Sequence, residues 1–289
     1  MLKQFPATDL VLNAKNQVYH LGFSPENLAT KIIVVGDQDR VGLISKFFDS
    51  IEHKSQHREF TCHTGVYQGK RISVLSTGIG TDNIDIVVNE LDALVNIDLN
   101  NRIEKESKKE LEIIRIGTCG IVQTHIPIHS YILSSHALGL DNIAHFYEIP
   151  FEEQELSLGD AIQNHIGLPA KIIPYLISAD SELTDRLVSE LTHQGITITS
   201  SGFYGPQGRN LRIPTYASEI HTRLSSFESD GLQILNFEME SSALFALGKA
   251  LGHKCTTICL GVANRPNYEF SKGYDKEMNG LIEYVLDRI

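Results

Sequence analysis

Lys31-Ile-Ile-Val-Val-Gly-Asp-Gln-Asp-Arg40 is the stretch from which the fold of this chain is read. Four β-branched residues in succession read as a buried strand. Gly36 ends it, and residues 38–48 read as a helix. The same pattern, a short β-branched run, a Gly-containing turn and a helical stretch, recurs along the chain. Residues 58–67 and 71–76 read as strands joined at Gly69-Lys70, a hairpin signal. In 81–95 the apolar residues Ile84, Val87, Val88, Leu91 and Leu94 fall at helical spacing. Residues 112–116 read as another buried strand, ending at Gly117-Thr-Cys-Gly120. Further strands are expected at 131–137, 171–177, 196–200, 234–237 and 255–260. Helices are expected at 239–251, stopped by Gly252, and at 276–287. Strands alternating with helices make this an α/β fold with a parallel or mixed sheet. No internal repeat and no Pro/Gly/Ser linker divides residues 1–289, so one domain is expected. In such sheets ligands gather at the carboxyl ends of strands, where the turns at Gly36, Gly78 and Gly117 lie.

Composition narrows the function. The 289 residues are 42% hydrophobic and 21% charged, with a net charge of -11, which suits a soluble globular protein and not a nucleic-acid-binding surface. The charged run 102–110 reads as a solvated loop. Four cysteines make no disulfide scaffold, and Cys255 and Cys259 have no second pair to complete a zinc ribbon. Reduced thiols, a first dozen residues containing Asp9 and no long apolar core, and no run of membrane-spanning length all predict a cytoplasmic protein without membrane attachment. His125-Ile-Pro-Ile-His129 has the spacing of a helical zinc pair, but Pro127 breaks the helix that this geometry needs. No G-x-S-x-G and no GxxxxGK[ST] occur, so a Ser-His-Asp hydrolase and a P-loop nucleotide site have no anchor.

Five segments remain as carriers of chemistry. Gly36-Asp-Gln-Asp-Arg40 opens a helix, where free N–H groups and the dipole favour an anion and Arg40 adds a charge; an Asp-capped helix with Arg40 in solvent has the same sequence. Ser76-Thr-Gly-Ile-Gly80 lacks the third glycine of a dinucleotide fingerprint, yet a Gly-flanked turn into a helix suits a small-ligand pocket. Arg115, late in an apolar strand before Gly117-Thr-Cys-Gly120, needs an anion, either a carboxylate or a ligand. Phe237-Glu-Met-Glu-Ser241 puts two carboxylates on one face of an extended segment, fit either for a helix N-terminus or for vicinal sugar hydroxyls. Phe203-Tyr-Gly-Pro-Gln-Gly-Arg209 is a loop in which Gln207 offers a donor and an acceptor and Arg209 a cation for a departing base.

In this order, from Tyr19-His-Leu-Gly22 to Asn264-Arg265, the five segments resemble the nucleoside phosphorylase-I family and most resemble its uridine phosphorylases. The resemblance implies a three-layer α/β/α fold around a central mixed sheet, in dimers assembled into a hexamer. It implies inorganic phosphate as co-substrate and no organic cofactor. Gly36, Arg40, Arg115 and Thr118 would bind phosphate, joined by Arg58 from the neighbouring subunit. Glu238, Met239 and Glu240 would hold the ribose, with His20 reaching across the same interface. Phe203, Gln207 and Arg209 would hold the base. Arg115, Gln207, Arg209 and Glu240 would be the catalytic set.

Departures from the family pattern are specific. Gln38 stands where proline is common. Thr81-Asp82-Asn83 replaces a Gly-Pro-Ser turn that, with the residue matching Glu59, holds a monovalent cation at the dimer interface of uridine phosphorylases. Cys119 replaces a threonine, as in the purine branch. The base loop reads Gly-Pro-Gln in place of Pro-Gly-Gln, and residues 151–179 form a longer segment expected to remodel the pocket mouth. Val262-Ala-Asn-Arg265 stands where the purine branch has Ser-Asp-His, which favours a pyrimidine. The alternatives are a purine nucleoside phosphorylase using Asn264, a nucleosidase of the same fold, and a non-catalytic nucleoside binder.

Overall fold

The run Lys31–Val35 forms strand β1, and Gly36 leads into α1 (Gln38–Ser45), which Asp37 caps through its side chain on the amide of Asp39 at 3.0 Å. The helix stops earlier than expected because Phe47 and Phe48 turn tightly onto the carbonyls of Ile44 and Ser45. The computed structural model describes residues 2–216 and 220–289. The strands continue as β2 (Ser50–His57), β3 (Phe60–Tyr67), β4 (Lys70–Ser76), the short pair β5 (Ile97–Asp98) and β6 (Ile103–Glu104), β7 (Glu112–Ile121), β8 (Tyr131–Gly139), β9 (Tyr175–Ser178), β10 (Thr192–Thr199), β11 (Glu228–Ser229), β12 (Leu232–Glu238), β13 (Lys254–Asn264) and β14 (Glu269–Phe270). The helices are α2 (Thr81–Asn96), α3 (Glu153–Ile166), α4 (Ser181–Leu187), α5 (Ile220–Ser225), α6 (Ser241–Leu251) and α7 (Asp275–Leu286).

The main sheet runs in the order β11-β12-β10-β8-β13-β7-β1-β4-β3-β2. It is mixed: β4, β1, β7 and β13 are parallel, as are β8, β10 and β12, and the two sets meet antiparallel where β13 pairs with β8. Helices cover both faces. The apolar stripe of α2, including Ile84, Val88 and Leu91, packs with α6 over one face, and α1, α4 and α7 close the other. Helices α3 and α5 cover the β10–β12 end through Ile162, Ile166, Ile220 and Leu224. Each such buried aliphatic side chain contributes about 1.5–3 kcal/mol over exposure. The architecture is the expected three-layer α/β/α. Among the described residues no helix is long and apolar enough to cross a membrane.

Three differences from the sequence reading bear on the site. The strand expected at 58–67 begins at Phe60, and Arg58 sits at φ 54° in the turn that joins it to β2, an edge strand the sequence reading missed. The strand expected to end at Ile116 runs through Gly117-Thr-Cys-Gly120 to Ile121, because β13 pairs with it along that whole length. The expected strand at 171–177 shortens to Tyr175–Ser178, since Pro174 lacks an amide hydrogen and restrains the residue before it. One further pairing builds the site: β12 also meets β7 antiparallel, Asn236 opposite Ile121 and Phe237 opposite Gly120. Antiparallel contact at the last residues of both strands brings their carboxyl ends together.

Candidate active site

That convergence sets Arg115 between two carboxylates. Its Nη2 donates to Glu240, and its Nη1 lies 3.3 Å from Glu238 and 3.3 Å from the Cys259 sulfur. All three charged side chains are buried, Arg115 to 4% exposure. Burial opposes the charge on Arg115, yet Glu240 and then Glu238 hold its guanidinium above the ordinary value. Burial raises Glu238, with the Arg115 charge acting against that rise. Glu238 also accepts from the Thr199 hydroxyl at 2.5 Å and from the amides of Glu240 and Ser241 at 2.9 and 3.0 Å, so it caps α6 as well. Glu240 accepts from the Gly80 amide at 2.8 Å, which ties the Gly78–Gly80 turn to the same group.

The glycines of β7 act by leaving room. A β-carbon on Gly117 would coincide with the Arg115 guanidinium, and one on Gly120 would touch the stem of Arg265 at 3.7 Å. Gly117→Ala is therefore expected to push Arg115 off Glu240 and lower kcat/KM by about 10²-fold, the scale of an ångström of misplacement at a reacting centre. Steady-state kinetics of a variant that still melts cooperatively reads this directly.

Arg40 is the second buried cation. It is 9% exposed, and its nearest polar partner is the Ile116 carbonyl at 3.4 Å. Among the described residues no carboxylate lies within ion-pair distance of it. Burial lowers its pKa, and Tyr274 and Asp37 oppose that shift only in part. Asp37 does cap α1, but Arg40 points inward instead of to solvent. A buried guanidinium without a carboxylate, beside a second guanidinium, is a site awaiting an anion.

The base-loop residues lie across the same space. Residues Gly205–Gln207 make a single 3-10 turn; Gln207 is buried and accepts from Arg209, whose guanidinium stacks 3.7 Å from the Phe203 ring centre. Burial, and then the nearby Arg265, lower Arg209 to about 10, so it stays a cation at neutral pH. A cleft of about 840 Å³ is lined by Gly36, Arg40, Arg115 and Thr118, by Glu238, Met239 and Glu240, and by Phe203, Gln207 and Arg209. Glu59, Gly78 and Asn83 also line it. The carboxyl ends of β1, β4, β7 and β13 open into this cleft.

His20 and Arg58 do not line this cleft. They lie around Tyr19 beside the rim of the cleft: exposed Arg58 lies over the Tyr19 ring at 5.3 Å and the Arg58 carbonyl accepts from the cleft-lining Gln38 at 2.9 Å, half-buried His20 meets Glu90 at 2.7 Å, and the His57 ring bonds the His20 carbonyl at 2.8 Å. A larger cleft of about 1130 Å³ flanks the other side of the base loop, between Leu168, Lys171 and Ile172 of the long segment and Leu211 to Tyr216. It shares Arg209 with the first cleft but lacks its converging carboxylates and arginines. The longer segment thus forms α3 and the wall of this neighbouring cleft.

The chain as a whole is similar to known proteins. A family profile described as the phosphorylase superfamily matches residues 30–278. The chain belongs to the phosphorylase superfamily. It is 28% identical to a uridine phosphorylase of Thermococcus kodakarensis, over 96% of this chain and 88% of that one. It is 30% identical to the uridine phosphorylase of Escherichia coli, over 89% of each. The crystal structure of Trypanosoma brucei nucleoside phosphorylase, described as showing uridine phosphorylase activity, superposes with a TM-score of 0.88 at 29% identity, covering 97% of this chain and 99% of that one.

As a member of that superfamily the protein is a nucleoside phosphorylase, and the family's substrates are a nucleoside and phosphate. The sequence reading missed three polar residues behind the cleft. Thr199 orients Glu238, and Arg265 sits against the base loop with Nη1 3.4 Å from the Gln207 carbonyl. His221, on α5, accepts from Arg265 at 2.8 Å. Only Arg265 carried a signal, as the last residue of the matching segment. Asn264 is occupied: its amide donates to the carbonyls of Gln123 and Ile126, and its oxygen accepts from Asn267.

Proposed function

We propose that this single-domain chain, residues 1–289, cleaves uridine with inorganic phosphate to uracil and ribose 1-phosphate in the cytoplasm, as a hexamer built from dimers. The observation that carries the reading is the buried, carboxylate-free Arg40 beside Arg115, across one cleft from the Gln207–Arg209 pair. Phosphate would take the place between Arg40, Arg115, Gly36 and Thr118. Arg115 is already shared with Glu240, so it would bridge phosphate and the sugar-binding carboxylate, with Arg40 as the second cation on phosphate. Glu240 and Met239 would hold the ribose hydroxyls and the ring, with Glu238 behind them as the fixed counter-charge. That His20 and Arg58 lie around Tyr19 and do not line the cleft of their own chain supports their donation to a neighbouring copy.

In the reaction the bond from C1′ to N1 of the base breaks first, and its electron pair goes to the base. The sugar becomes oxocarbenium-like, and a phosphate oxygen held in line forms the new bond to C1′. Gln207 and Arg209 stabilise the base anion, which then takes a proton from solvent. No side-chain nucleophile is required. The commitment of Asn264 to the Gln123–Ile126 turn counts against the purine reading, and the two buried arginines count against a nucleosidase.

The test follows absorbance of uridine, inosine and adenosine with and without phosphate. Uridine loss that requires phosphate is expected. Purine cleavage would keep the phosphate site and overturn the base assignment; cleavage without phosphate would overturn the role of Arg40 and Arg115.

A further inference from the structure

His221 stands outside every motif of the sequence, yet three observations converge on it. Its Nε2 lies 2.8 Å from Nη2 of Arg265. Its ring stands edge-on to Phe237, the residue before Glu238, with centres 5.6 Å apart. Its Nδ1 is buried without a hydrogen-bond partner among the described residues. Arginine offers only donors, so Nε2 must present its lone pair and the proton must sit on Nδ1. The imidazole is therefore neutral; burial, and then the charges of Arg265 and Arg209, push its pKa down to about 4.

Arg265 is fixed at its other end too. Its amide donates to the Ile121 carbonyl at 2.9 Å, its stem runs past Gly120, and its Nη1 reaches the Gln207 carbonyl. The same guanidinium thus touches the base loop and α5, while its backbone, just past β13, is held by the end of β7. Helix α5 is itself anchored by buried Ile220 and Leu224.

We infer that His221 and Arg265 form a brace that sets the position of the Gln207–Arg209 loop, with His221 as a positioning residue acting as a hydrogen-bond acceptor. The inference rests on the reading that Gln207 and Arg209 hold the base. Without the acceptor, Arg265 loses the contact that aims its fork, and the Gln207 turn loses its tie to α5. Arg209, which bonds to Gln207 and to the Phe203 carbonyl, moves with that turn. The effect therefore falls on recognition and departure of the base and leaves phosphate alone.

Three variants test this, assayed on whichever nucleoside the wild-type protein cleaves: His221→Phe, which keeps a ring against Phe237 but has no acceptor; His221→Gln, whose amide oxygen can stand near Nε2; and Arg265→Lys, which keeps charge but loses the fork. His221→Phe and Arg265→Lys are each expected to lower kcat/KM for the nucleoside by about 10–100-fold while KM for phosphate stays unchanged. Combining them should cost little more than either alone, and His221→Gln should recover most of the loss. With a pyrimidine substrate, the loss should be greater for uridine than for 5-fluorouridine, whose base leaves as the weaker base. Equal damage to both substrates' KM values, additive effects of the two substitutions, or a His221→Phe enzyme with wild-type kinetics would each overturn the brace. The wild-type assay alone decides the base assignment, so the two readings fail separately.

Discussion

Replacing Arg115 with methionine is expected to cripple phosphorolysis and to destabilise the fold, both from one cause. The guanidinium is the only cation placed between Glu238 and Glu240 among the described residues, and all three groups are buried. Removing one partner of a buried ion pair typically costs about 3–5 kcal/mol, because the partner charge stays behind. Burial already raises Glu238, and without Arg115 the opposing influence is gone, so the carboxyl will take up a proton in the folded state. The sign follows: a carboxyl whose folded pKa lies above its unfolded value favours folding below the unfolded pKa, and that contribution is lost as pH rises through the folded pKa. The variant's deficit against wild type should therefore be larger at pH 8 than at pH 5.5, by urea unfolding at both. Turnover should fall by about 10³-fold, the upper scale for removing one preorganised donor from a developing charge. Arg115→Lys should restore much of the stability but little of the rate, since one ammonium cannot replace a fork. Wild-type turnover in either variant would take Arg115 out of the phosphate site.

The parts of this arrangement differ in how far the sequence reveals them. β1, β4 and α2 were legible because their apolar residues keep one period over enough length to fix the element. β2 was not: Ser50-Ile-Glu-His-Lys-Ser-Gln-His57 lies at the sheet edge, mostly exposed, and an edge strand needs no apolar face. The omission mattered because the turn after β2 carries Arg58. Gly117 and Gly120 read as turn residues when they are spacers in a strand, and only the fold tells the two uses apart: a missing β-carbon serves a bend or a neighbour equally well.

The site divides along the same line. Short-range logic named Arg40 but left it between solvent and an anion, and only its burial in the fold separates the two. It could pose the alternatives for Arg115 and for Glu238 with Glu240, but their answer lies 125 residues apart in the chain, in the meeting of β7 and β12. There the choice between structural carboxylate and ligand turns out to be incomplete, because Arg115 holds its carboxylates and still faces the cleft. His221 gave no signal at all: it sits on a six-residue helix, too short for periodicity to speak.

Arg209 supplies the complementary experiment, because the same loss of one positive charge should there cost activity and leave stability intact. Its guanidinium has Phe203 on one side and the cation of Arg265 nearby, and among the described residues no carboxylate pairs with it. Burial and Arg265 both disfavour its charge, which offsets what its hydrogen bonds to Gln207 and the Phe203 carbonyl contribute. Arg209→Met keeps the stem over Phe203 and removes the charge. Its melting temperature should equal or exceed that of wild type, the opposite of the Arg115 result. Its kcat should fall by about 10²–10³-fold, as for loss of a donor aimed at an oxyanion, with KM for phosphate unchanged. The deficit should narrow with 5-fluorouridine, since a base that carries its own negative charge well needs the arginine less. A destabilised variant with intact turnover would mean that Arg209 serves the loop and not the leaving base, and Gln207 would then be left to recognise the base alone.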